Sequence, residues 1–120
     1  MLPAAYRLRS AAQFRAVTRG GSKAARRSVI AYVLPPSPSE PTLSTAMAGL
    51  IVSRSVGGSV VRHRVARRLR ASVVGLLPAL PSGTTVVLRA LPGAAEDPEL
   101  SAQVAGAIDQ ALGRAVTRSR

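Results

Sequence analysis

Residues 59 to 70 read SVVRHRVARRLR, with five arginines, the chain's one histidine and no acidic residue. Guanidinium groups carry planar forks of donors that match phosphate oxygens and stack on bases, so this stretch offers anion binding. Other chemistries find little to work with. His63 has no cysteine and no neighbouring carboxylate with which to build a metal cluster or a nucleophilic triad. Paired carboxylates for hydrolysis are missing, because Glu96, Asp97, Glu99 and Asp109 gather in the C-terminal segment. Gly57-Gly58 is not followed by the Lys-Ser/Thr of a nucleotide triphosphate loop. The absence of cysteine removes disulfides and thiol chemistry and suits a reducing compartment, so a cytoplasmic location is expected. The reading is a binder with no catalytic residue and no metal ligand of its own.

An element must position these arginines, and the spacing predicts a helix from 59 to about 77. Val61, Val65, Leu69, Ser72 and Leu76 form one stripe, while His63, Arg64, Arg67 and Arg70 point away, with Arg62 and Arg68 on the flanks. Val60 and Val74 fall on the charged side, so the amphipathicity is imperfect. A solvated face is normally salted with acids, and residues 41 to 95 contain none. Like charges three or four apart destabilise a helix by about 0.2–0.5 kcal/mol per pair, a repulsion that bound phosphate relieves. The basic face therefore reads as a nucleic-acid contact.

The composition agrees. The 120 residues suffice for one domain, and seventeen basic residues against five acidic ones give a net charge of +12. Sixteen of the seventeen are arginine, Lys23 being the exception, and fourteen lie in residues 1 to 95 beside the single acid Glu40. Such self-repulsion is best tolerated beside a polyanion. Aromatics are limited to Tyr6, Phe14 and Tyr32, so the core rests on small aliphatics. No apolar run approaches the ~18 residues of a membrane span. The first 28 residues share the arginine-rich, acid-free character of a transit peptide, but arginine density does not fall after them, and they look needed to complete the domain.

Ser10 and Gln13 form a capping-box pattern for a helix to about Arg19, closed by Gly20-Gly21. SVIAYVL (28–34) reads as a covered strand, and PPSPSEPTLSTA (35–46) as a solvated loop. AGLIVSR (48–54) reads as the next strand, paired with the previous one in a long-looped hairpin. Beyond the arginine helix, TTVVLRA (84–90) is a strand. Asp97 as N-cap and Pro98 start a last helix carrying Leu100, Val104, Ile108, Leu112 and Val116. The order α-β-β-α-β-α predicts a single α+β domain with one small sheet and helices packed on it.

GLIVSRSVGGSVVRHRVARRLR (49–70) resembles the signature of the bacterial ribonuclease P protein component. There a strand ending in Val-Ser precedes a glycine turn and an arginine-rich helix. YRLRSAAQF and RRSVIAYVL extend the resemblance across roughly residues 6 to 115. It implies a fold with a left-handed β-α-β crossover between the third and fourth strands, against the general right-handed rule. It implies the protein subunit of a ribonucleoprotein endoribonuclease that removes the 5′ leader of precursor tRNA. In that family the RNA subunit carries the hydrolysis with Mg²⁺, and no cofactor is held by protein side chains. The partners implied are that RNA and precursor tRNA, with no membrane and no protein partner. Arg54, Arg62, His63, Arg64, Arg67, Arg68 and Arg70 would meet the RNA; Phe14, Tyr32, Arg7 and Arg15 would form the leader cleft. Phe14 and Tyr32 have a competing reading as core residues. Three departures stand out: His63 and Gly58 where asparagine is usual, Ala66 where lysine is frequent, and Thr18 where a second phenylalanine often stands. The alternative is a generic basic RNA-binding or ribosome-associated protein with no processing role.

Overall fold

The structure, a computed structural model, describes residues 7, 8, 10–36 and 46–118. Three helices and four strands follow in the order α1 (Ala11–Gly20), β1 (Ser22–Ala25), β2 (Val29–Leu34), β3 (Met47–Ile51), α2 (Ser59–Val74), β4 (Thr85–Ala90) and α3 (Leu100–Arg118). Helix α1 starts as its sequence dictates. Gln13 N–H donates to Ser10 Oγ at 3.1 Å, and Ser10 N–H donates to Gln13 Oε1 at 3.0 Å. The solvated loop expected at 35–46 falls largely on 37–45, outside the described residues; its last residue, Ala46, is buried.

The sheet runs β1-β2-β4-β3. Strand β2 is antiparallel to β1 and β4, whereas β3 is parallel to β4. The expected hairpin between β2 and β3 is therefore wrong, since β4 lies between them. Burial favours this order: Val86, Val87 and Leu88 are all fully covered, as suits a central strand with helices on both faces. Parallel neighbours need a crossover, and α2 supplies it. Strand β1 escaped the sequence reading because SKAA carries no β-branched or aromatic residue. Strand β3 also stops at Ile51 rather than 54, and a short 3₁₀ turn at Arg54–Val56 follows.

Helices α2 and α3 cover one face of the sheet and α1 the other. The larger core joins Val65, Leu69 and Val73 of α2 and Leu100, Val104 and Ala107 of α3 to Ala31, Val33, Val86 and Leu88 of the sheet. The smaller one joins Leu8, Phe14 and Val17 to Tyr32, Leu34, Met47, Ile51 and Val87. Helix α2 ends at Val74, short of 77, and buries Val73 instead of the expected Leu76. Helix α3 begins at Leu100, not at Pro98. Its step-of-four stripe drifts about 40° per step. Val116 ends 48% exposed, and Ala107, Ala111 and Ala115 take over the buried line.

Candidate nucleic-acid interface

Gly57 turns the chain into the arginine helix at φ 155°, where a Cβ would lie 2.8 Å from Val61 Cγ1. Only glycine fits that bend. Beyond it, Val65, Leu69 and Val73 anchor α2, and His63, Arg64 and Arg67 stand exposed with Arg54 just before the helix. Arg62 and Arg70 are half-buried beside a hollow of about 300 Å³ between α2 and the β3 edge, floored by Leu50 and Val52. The Arg62 Nε is buried there with no hydrogen-bond partner among the described residues.

Arg68 is placed differently from its neighbours. Its Nη1 donates to Ala94 O at 3.3 Å and Ala95 O at 3.4 Å, and its Nη2 to Asp97 O. This guanidinium ties α2 to the 3₁₀ turn Ala94–Glu96 ahead of α3. Asp97 completes the junction. Its carboxylate accepts from Ser28 Oγ at 2.6 Å, from Arg27 Nη2 at 3.1 Å and from Glu99 N–H at 2.8 Å. The Ser28 bond first, then the Glu99 amide, then Arg27 hold its carboxyl below the usual carboxylate range, against desolvation. Arg26 and Arg114, though exposed, also make ties within the chain. Arg26 lies over Gly106 and reaches Gln103, and Arg114 donates to Lys23 O.

On the other side of the sheet, α1 covers part of the floor and leaves the rest open. Phe14 lies against Gly49 so closely that a Cβ there would come within 2.3 Å of its Cζ. Phe14 and Tyr32 are both half-buried members of the smaller core, and each keeps part of its surface in solvent. Thr18 donates to Phe14 O at 3.1 Å and Arg15 O at 3.3 Å, so its hydroxyl serves its own helix. Arg15 is exposed on α1, and Arg7 bridges to Ala48 on the β3 edge.

Strand register lays out the floor in rows. Lys23, Tyr32, Val87 and Gly49 form one, and Ala25, Ile30, Arg89 and Ile51 the next. Arg89 and Lys23 are exposed on it, and the sequence reading missed both. Period-two alternation from Val87 would have found Arg89; Lys23 required β1 to be recognised first. Arg70 touches both surfaces, lining the Arg62–His63 hollow and a second one of about 190 Å³ with Arg7 and Phe14.

Among the described residues no group of three or more His, Asp or Glu side chains is placed to hold a metal ion, and no helix is long and apolar enough to cross a membrane.

Residues 2–116 match the family model described as Ribonuclease P. The chain is 42% identical over 114 residues to the ribonuclease P protein component of Acidothermus cellulolyticus, covering 95% of this chain and 91% of that one. It is 43% identical over 119 residues to that of Streptomyces bikiniensis, covering 95% and 94%. The fold is similar to the RNase P protein of Staphylococcus aureus, with a TM-score of 0.68 at 19% identity over 92% of this chain and 94% of that one. It is similar to that of Thermotoga maritima, with a TM-score of 0.70 at 15% identity over 87% and 96%.

Proposed function

The chain belongs to the ribonuclease P protein family, and from that premise we propose that it docks on the catalytic RNA through α2 and holds the precursor's 5′ leader on the opposite face of the sheet. It is a subunit of a tRNA-processing ribonucleoprotein, and the family match disfavours a generic basic binder. In this reading Arg54, Arg62, His63, Arg64, Arg67 and Arg70 meet phosphates of the RNA subunit. Phe14, Tyr32, Arg89, Arg7 and Arg15 meet the leader. Arg68 leaves the docking set, because its donors already serve three carbonyls.

The RNA subunit carries the phosphodiester hydrolysis and the Mg²⁺ it needs. The protein's own residues do not fit that ion: the acids closest together are Glu96, Asp97 and Glu99, and Asp97 is engaged by Ser28 and Arg27. What the chain contributes is position and charge. Guanidinium groups neutralise phosphate repulsion as the two RNAs are brought together, and stacking on Phe14 and Tyr32 favours precursor over product.

The observation that carries this reading is the shared position of Arg70, which lies at the β3 edge where the arginine helix and the sheet floor meet. The test is cleavage of a precursor tRNA by a bacterial ribonuclease P RNA at low Mg²⁺, with and without the protein. Added protein is expected to restore cleavage at the mature 5′ end, and protein alone to give none. Unchanged cleavage on addition of folded protein would overturn the proposal.

A further inference from the structure

Lys23 is the one lysine in the chain, and it stands at the far edge of the sheet from the arginine helix. Its Cα pairs with that of Tyr32, so its side chain shares the face of Tyr32, Val87 and Gly49, and it is exposed. The next residue, Ala24, is fully buried in the core on the other face. Arg26 shares that other face and turns onto Gly106 of α3. The backbone at 23 is fixed twice, by the ladder to β2 and by the Arg114 guanidinium on its carbonyl. A cation on a pinned edge strand, beside half-buried Tyr32 and next to the open row of Ile30, Arg89 and Ile51, with no acid partner among the described residues, is placed for an anion that arrives across the sheet.

We infer that Lys23 binds the backbone phosphate of the distal leader, at the point where the single strand leaves the sheet over β1. This deepens, and rests on, the leader-holding role proposed above. The direction of travel follows from the position of α2. The docking arginines flank the β3 edge, so the cleavage junction lies on that side and the leader crosses β3, β4 and β2 before reaching β1. Half-buried Ile51, Ile30 and Tyr32 and exposed Arg89 lie along that path. Three strand spacings of about 4.8 Å make it about 14 Å. At a stacked rise of about 3.4 Å that is some four nucleotides, and fewer if the strand is extended. Lys23 therefore makes the enzyme sensitive to leader length rather than to leader sequence.

The experiment uses the reconstituted holoenzyme. Binding is measured for mature tRNA, for precursor with a leader of about two nucleotides and for precursor with about eight, too short and long enough to pass β1. With Lys23→Gln the long-leader affinity is expected to fall about three- to tenfold, with Lys23→Glu further, and Lys23→Arg should restore it. The salt slope for the long leader should become shallower by about 0.7. Short-leader and mature tRNA affinities should stay at wild-type values. Loss of affinity for all three ligands would overturn the inference by placing Lys23 on the RNA subunit or tRNA body, as would no change with the long leader. If the wild-type holoenzyme does not distinguish precursor from mature tRNA, the leader-holding role fails and the inference with it.

Discussion

Asp97 is one of five acids in a chain of net charge +12, and its side chain is 3% exposed. Its hydrogen bonds to Ser28, the Glu99 amide and Arg27 favour the ionised form, so its folded-state pKa lies below that of an unperturbed aspartate. A depressed carboxyl contributes stability that is fully present above the unfolded-state pKa and is lost as pH falls through the lower folded value. Thermal melts from pH 6 down to pH 2 should show this loss in the wild type. Asp97→Asn should melt lower at pH 6 and depend less on pH below 4; an acid limb as steep as the wild type's would mean that other carboxylates carry it. Gly49 makes a different residue-scale case. With a Cβ 2.3 Å from the Phe14 ring, Gly49→Ala must push that ring aside. Overpacking of this kind costs about 1–3 kcal/mol. Precursor affinity should fall with it, and Phe14→Leu in the same chain should recover part of the stability. Additive losses in the double variant would show that the two sites do not touch.

At the scale of elements, α2 carries arginines of two kinds, and substitution should separate them. Arg64 and Arg67 are exposed and adjacent in charge, so Arg64→Ala with Arg67→Ala should leave the melting temperature unchanged or slightly raised while weakening binding to the RNA subunit. Arg68→Ala should do the reverse. It removes donors from three carbonyls at the α2–α3 junction, and hydrogen bonds to a charged group are worth about 1.5–3 kcal/mol. Calorimetry beside RNA titration tests the distinction, and an Arg68 variant that melts normally yet binds weakly would return it to the docking set. Periodicity could place Arg68 on the flank of α2 but could not show what it meets, because its partners are carbonyls 26 to 29 residues away. The same limit explains the hairpin. The hydrophobic runs of β2, β3 and β4 and the capping box of α1 are local signals and were legible. Strand order depends on which run is buried on both sides, and that is settled by helices packed from distant sequence.

For the whole molecule, the question is where the +12 charge goes. Arg26, Arg27, Arg68 and Arg114 make internal ties on the α3 side or at its start. Arg54, Arg62, Arg64, Arg67 and Arg70 line or flank the opposite edge at β3, and among the described residues no acid pairs with them. The cations of α2 and its approach are therefore without acid partners at the β3 edge, whereas the arginines near the acids are tied within the chain; Lys23 and Arg89 add exposed charge on the sheet floor. Cations without a partner in the chain are the ones best placed to displace counterions when RNA binds. With about six phosphates neutralised, log K for the RNA subunit should fall against log salt with a slope of roughly −4 to −5. Arg64→Ala and Arg67→Ala should each make the slope shallower by about 0.7–0.9. Arg26→Gln should leave it unchanged, because that guanidinium lies over Gly106 and faces α3. Filter-binding or fluorescence titrations from about 0.05 to 0.2 M salt measure all three slopes. A flat wild-type response would remove the arginine helix as the docking surface. A shallower slope for Arg26→Gln as steeply reduced as for Arg64→Ala would mean that RNA also wraps the α3 side of the molecule.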